Sequence, residues 1–274
     1  MSPKGDKIIF SWNNNVSRSI LEVDSNGLGA KELVPGSTDT LYSNPRFNIN
    51  GTMIVFIGKS ISDGHSAIYV ANSDGTEKKR ITSGNDFISD VFYSRCESKI
   101  YFINSKSYDN YSPVSAKGLH NSDLYSISLA EKTIQKITNQ AAYNMYKPSE
   151  LNCDSLLMTI SYPSLFGLTL IEKKNPNKLI KIAPINRPRQ PDLYDSPTFS
   201  ESTGLLFFLA PYEMYVMDWK KRKATMILRD DKMIENFRLI EHNKRIIYTN
   251  SVDNTFFITD FGGTRLRELK IGEL

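Results

Sequence analysis

The chain has 274 residues and a formal net charge of +4, with 34 basic side chains against 30 acidic ones, a balance too mild to mark a nucleic-acid binder. Hydrophobic residues make up 40% of it, with 14 Tyr and 14 Phe, enough to bury a large core, yet no apolar run approaches the roughly 18 residues of a membrane-spanning helix. Met1 leads directly into Ser2-Pro3-Lys4-Gly5-Asp6, a turn and not the charged and apolar segments of a secretion signal.

The first predicted strand is Lys7-Ile8-Ile9-Phe10, and Asp24-Ser25-Asn26-Gly27 reads as a hairpin. The second unit shows the full pattern. Arg46-Phe47-Asn48-Ile49-Asn50-Gly51 is a short apolar segment entering a polar turn, Met53-Ile54-Val55-Phe56 is an anchor strand, and Ala67-Ile68-Tyr69-Val70 alternates with period two. Ser73-Asp74-Gly75-Thr76 then turns the chain into Lys79-Arg80-Ile81-Thr82, a polar last strand suited to a solvent-facing edge. Further anchors are Lys99-Ile100-Tyr101-Phe102, Leu156-Leu157-Met158-Thr159, Leu205-Leu206-Phe207-Phe208 and Arg245-Ile246-Ile247-Tyr248. Each follows its own apolar segment and turn, as in Arg238-Leu239-Ile240-Glu241-His242-Asn243.

The six anchors begin about 46, 46, 57, 49 and 40 residues apart, the period of a four-stranded propeller blade. The expected fold is all-β: one six-bladed β-propeller over residues 1–274, with antiparallel blades near 1–36, 41–83, 88–139, 147–183, 196–229 and 235–270. The first blade lacks room for an innermost strand ahead of its turn, and the five residues after Leu269 are too few to supply one. Two explanations stay open: a ring notched at its first blade, or a natural start upstream of Met1. The second is favoured, because natural sheets avoid a bare apolar edge. Cys96 and Cys153 stand in equivalent turns of successive units. Equivalent atoms of neighbouring blades are expected beyond the roughly 7 Å limit for a disulfide, so both are read as free thiols.

Ser2-Pro3-Lys4-Gly5-Asp6-Lys7-Ile8-Ile9-Phe10 and the stretch from Ala67-Ile68-Tyr69 through Asn72-Ser73-Asp74-Gly75-Thr76 to Ile81-Thr82 resemble the two halves of the repeat in TolB-like propellers, a WD-repeat-like family. The match covers essentially the whole chain, strongest in the first two units and the last, while the middle units have lost the Ser-Pro turn. The resemblance implies a propeller and, through exported relatives, a periplasmic or otherwise exported protein if an upstream leader exists; the cytoplasm follows if Met1 is the true start. It implies little about activity, since similar repeats serve in peptidase propellers and sugar lyases.

No catalytic constellation stands out. His65, His120 and His242 fall in different loop classes and each reads as a surface residue, so no metal site is assigned. Gly58-Lys59-Ser60 lacks the earlier glycine of a phosphate loop, and Asp74-Gly75 lacks the other carboxylates of a calcium loop. Two long predicted loops, residues 104–122 and 183–196, belong to one face of the ring, where recognition residues concentrate. Tyr42, Tyr108, Tyr111, Tyr143, Tyr146, Lys147, Arg187, Arg189, Tyr194 and Glu235 are therefore expected to form a partner-binding mouth. The expected function is a non-enzymatic binding propeller, a monomer without cofactor, that recognises a protein or peptide through its loop face or central channel in a cell-envelope assembly. The alternative is a saccharide-binding propeller or a lyase-like enzyme.

Overall fold

The computed structural model describes residues 1–13, 17–110, 117–162, 165–188, 193–251 and 255–270. They form a six-bladed β-propeller of antiparallel sheets. The first sheet has three strands, β1 (Lys7–Asn13), β2 (Arg18–Asp24) and β3 (Lys31–Val34). Four strands make each of the others. The second has β4 (Thr40–Phe47), β5 (Met53–Ser60), β6 (Ser66–Asn72) and β7 (Lys79–Arg80); the third has β8 (Phe87–Tyr93), β9 (Lys99–Asn110), β10 (Lys117–Ser128) and β11 (Ile134–Lys136). The fourth runs β12 (Asn144–Asn152), β13 (Ser155–Tyr162), β14 (Leu165–Glu172), β15 (Leu179–Lys181), and the fifth β16 (Asp195–Ser200), β17 (Leu205–Ala210), β18 (Glu213–Asp218), β19 (Ala224–Arg229). The sixth contains β20 (Ile234–Ile240), β21 (Arg245–Asn250), β22 (Thr255–Asp260) and β23 (Arg265–Lys270). Among the described residues, the first blade alone has no strand on the inner side of its anchor strand.

The continuous apolar runs of the anchor strands follow from their position, sandwiched between two neighbouring blades. Alternate side chains point to opposite faces of a strand, so both faces must be apolar. In β5, Ile54 and Phe56 pack toward the first blade, while Val55 and Ile57 pack toward the third. In β17, Leu206 and Phe208 face the fourth blade, and Phe207 and Leu209 face the sixth. The ring closes in the same way, with Ile8 and Val23 of the first blade set against Ile240, Ile247, Ile258 and Leu269 of the sixth. Closure therefore rests on side-chain packing between whole sheets.

Hairpin glycines Gly75 and Gly263 have φ of +89° and +85°. A Cβ at Gly75 would fall on the Leu33 carbonyl, and one at Gly263 on the Ile227 carbonyl. Each tip abuts the outer strand of the preceding blade, β3 or β19, at a distance only glycine permits.

Three expectations need correction. Cys96 and Cys153 are joined in a disulfide, with Cα atoms 5.4 Å apart. The turns that carry them follow inner strands, close to the axis where blades converge, and Glu150 draws them together. Its carboxylate accepts hydrogen bonds from Ser94 Oγ at 2.7 Å, Arg95 N–H at 2.6 Å and Lys173 Nζ at 3.1 Å. The expected loop at 104–122 is largely a hairpin, because β9 and β10 continue in register to the pairs Asp109–Gly118 and Asn110–Lys117. His120 lies on that hairpin and is 6% exposed. It is not a surface residue, since its ring lies 4.7 Å from that of Tyr143.

Candidate binding site at the central channel

The inner strands β4, β8, β12, β16 and β20 each carry a register irregularity against their anchor strand: between Ser43 and Arg46, Ile88 and Asp90, Tyr146 and Ser149, Asp195 and Thr198, and Ile234 and Asn236. Asn44, Lys147 and Ser196 within them have φ of 52°, 54° and 54°. An extra residue bends a strand and re-aims its side chains. Here it brings polar groups of successive blades into contact around the channel.

Asp90 is the hub of that ring. It is 4% exposed and accepts hydrogen bonds from the Arg46 guanidinium at 3.0 Å and the Lys147 backbone N–H at 3.0 Å. One carboxylate thereby joins the second, third and fourth blades. Asn44 Nδ2 donates to the Ser89 carbonyl at 2.8 Å, and Ser149 Oγ to the Pro197 carbonyl at 2.8 Å. Lys147 Nζ donates to Asn236 Oδ1, reaching from the fourth blade to the sixth.

Cations dominate one sector. Arg46, Lys147 and Arg238 line a shared cavity with Ser149, Ser196 and Asn236. Burial, and after it the charges of Arg238 and Arg46, lowers the Lys147 ammonium to about 8, against the opposing pull of Asp90. The Arg46 charge first, then burial, holds Arg238 below its ordinary value. Burial raises Asp195, tempered by Ser196 and Lys147. Arg238 gives one guanidinium N–H to its neighbour's carbonyl at Phe237, 2.9 Å away. Such a cluster suits carboxylates, which accept charge-assisted hydrogen bonds from several donors together.

The residues expected at the mouth separate into groups. Tyr146 and Lys147 lie in β12 at the channel, and burial raises the Tyr146 phenol. Glu235 is exposed at the start of β20. Tyr108 and Tyr143 belong to the loop face, where the Phe87 ring lies 4.7 Å from His65 and 6.2 Å from Tyr108. Lys59 Nζ stands 5.9 Å over the Tyr108 ring. Arg187 is exposed, with φ of 37°. Tyr42 and Tyr194 are 5% and 1% exposed and pack inside blades, Tyr42 on Phe56 and Tyr69, Tyr194 on Phe208 and Tyr215. Tyr111 and Arg189 lie outside the described residues.

Arg46 and Arg238 escaped the sequence reading. A signal was present: both stand at the same distance ahead of their anchor strands, Arg46 opposite Val55 and Arg238 opposite Ile247. Among the described residues no group of three His, Cys, Asp or Glu side chains is placed to hold a metal ion, and no helix is long and apolar enough to cross a membrane.

No family model matches the chain, and no curated protein matches it in sequence. Solved structures do match. TolB from Acinetobacter baumannii superposes with a TM-score of 0.76 at 15% identity, over 98% of this chain and 64% of that one, so the chain spans about two thirds of that protein's length. A putative TolB from Agrobacterium tumefaciens gives 0.67 at 9% identity over 88% and 84% of the two chains. An oligogalacturonate lyase in complex with manganese gives 0.65 at 10% identity, over 97% and 74%. The chain is thus similar in fold to TolB propellers and to sugar-cleaving enzymes built on the same ring.

Proposed function

We propose that this protein is a non-enzymatic binding propeller that receives an acidic segment of a protein or peptide partner at the channel sector formed by Arg46, Lys147 and Arg238. The observation that carries the reading is the excess of cationic groups there: three cations converge, and Asp90 is already engaged by Arg46 and the Lys147 amide. Tyr146 and Glu235 line the approach, with Tyr108, Tyr143 and Arg187 farther out on the loop face. Membership of a cell-envelope assembly fits the fold likeness to TolB. An oxidising compartment such as the periplasm fits the disulfide between Cys96 and Cys153.

Panning a library of random linear dodecapeptides on the immobilised protein tests the reading. Selected peptides should be rich in Asp and Glu, bind one to one, and lose at least tenfold in affinity to a Lys147→Gln, Arg238→Gln double variant. No enrichment, or equal binding to the variant, contradicts it. So does selective binding of oligogalacturonates where no peptide binds, which would support the saccharide alternative.

A further inference from the structure

The cationic sector of the channel encloses a cavity of about 60 Å³, lined by Arg46 of the second blade, Lys147 of the fourth, Thr198 of the fifth and Arg238 of the sixth. Among the described residues that line it, three are cations and none is a carboxylate. Asp90 and Asp195 act on the Lys147 charge from outside that lining. Arg46 Nη2 donates to Asp90 at 3.0 Å, but Nε of the same guanidinium is buried with no hydrogen-bond partner among the described residues. A buried N–H without an acceptor is costly, so a ligand oxygen that reached it would be bound with gain. Pro148 and Pro197 also line the cavity, and because proline has no backbone N–H, side chains dominate its donor set.

We infer that this cavity holds the phosphoryl group of a phosphomonoester, bound by Arg46, Lys147 and Arg238 together with the Thr198 hydroxyl. This rests on the binding reading above and names the group that anchors the partner. Three features separate a phosphoryl group from a carboxylate. The first is size. A water needs about 10–15 Å³ of such space, so the cavity has room for about four or five atoms of that bulk, the number of oxygens in a phosphate and twice that in a carboxylate. The second is the donor count. A carboxylate has two oxygens with about four lone-pair sites, whereas each arginine carries five N–H groups and a lysine three. With the bonds to Asp90, Asn236 and the Phe237 carbonyl already made, Arg46, Lys147 and Arg238 still offer more N–H groups than one carboxylate accepts. A phosphomonoester presents three strong acceptor oxygens, and Arg clusters recognise phosphorylated segments in this way. The third is charge. Three lining cations against one engaged carboxylate, Asp90, leave a local excess suited to the charge of about −1.5 to −2 that a phosphomonoester carries at pH 7. Asp or Glu side chains enter the same cavity but use fewer of its donors, and so bind more weakly.

The test titrates inorganic phosphate into the full chain by calorimetry at pH 7 and low ionic strength, where screening is least. Phosphate should bind at one site with Kd below about 1 mM, and acetate at matched ionic strength at least tenfold more weakly. Lys147→Gln should weaken phosphate binding at least tenfold, and Thr198→Val, which keeps the side-chain shape, about fivefold. The comparison of phosphate with acetate is made on the wild type, so loss of folding in a variant cannot mimic it. A heptapeptide carrying phosphoserine distinguishes the sources of the group: affinity at least tenfold above that of phosphate supports a phosphorylated protein segment, and affinity equal to that of phosphate supports a free phosphate ester. The inference is overturned if phosphate shows no saturable binding up to about 10 mM, if acetate binds as well, or if Lys147→Gln leaves phosphate affinity unchanged in a folded protein. Acidic peptides that bind through Lys147 while phosphate does not would sink this inference and leave the channel reading standing.

Discussion

Arg46 and Asp90 form a 3.0 Å ion pair between the second and third blades, and the same carboxylate holds the Lys147 amide of the fourth. Three blades are keyed through one side chain that is almost wholly buried. Replacing it removes the only carboxylate bonded to Arg46 among the described ion pairs and leaves a part-buried guanidinium behind. Asp90→Ala should destabilise the protein by about 3 kcal/mol, and Asp90→Asn by less, read as the shift in urea midpoint at unchanged slope.

The Cys96–Cys153 bond closes a loop with a sequence separation of 57. A chain-entropy argument puts its contribution at up to about 4 kcal/mol. The double Cys→Ser variant should lose about 2–4 kcal/mol in denaturant unfolding, and the wild type under reducing agent should match it.

Gly75 and Gly204 separate steric need from backbone freedom. Both have positive φ, but a side chain at Gly75 meets the Leu33 carbonyl, whereas nothing lies within 4 Å at Gly204. Gly204→Ala should cost about 1 kcal/mol, the left-handed penalty alone. Gly75→Ala should cost clearly more, because the hairpin must also move off β3; thermal melts of the two variants provide the comparison.

Lys147 gives a pH signature. Its folded value of about 8 lies below the ordinary lysine value near 10.4, so between these limits the folded state binds fewer protons than the unfolded one. Stability should then rise with pH from about 8 toward 10. Lys147→Met should abolish that rise, and the difference between the two proteins isolates it from the tyrosines.

The ring was legible in the sequence because its cause is periodic. Every anchor strand faces two neighbours and must be apolar on both sides, as Ile54-Val55-Phe56 is, and this leaves a mark every forty to sixty residues. Pairing across blades was not legible. The Cys96–Cys153 bond depends on how closely turns converge at the axis, and the burial of Tyr42 and Tyr194 on how rings stack inside a blade. The channel cluster was half visible: Lys147 was expected at the mouth beside Tyr146, but Arg46 and Arg238, which line the same cavity, were not assigned to it.

The most direct test of the binding reading is amide hydrogen exchange across the ring with a library-selected peptide bound. Protection should concentrate at the channel sector, around residues 44–46, 147–149 and 235–238, and should vanish in the Lys147→Gln, Arg238→Gln variant. Protection confined to the outer strands β7, β11, β15 and β19, or spread identically over wild type and variant, would contradict it.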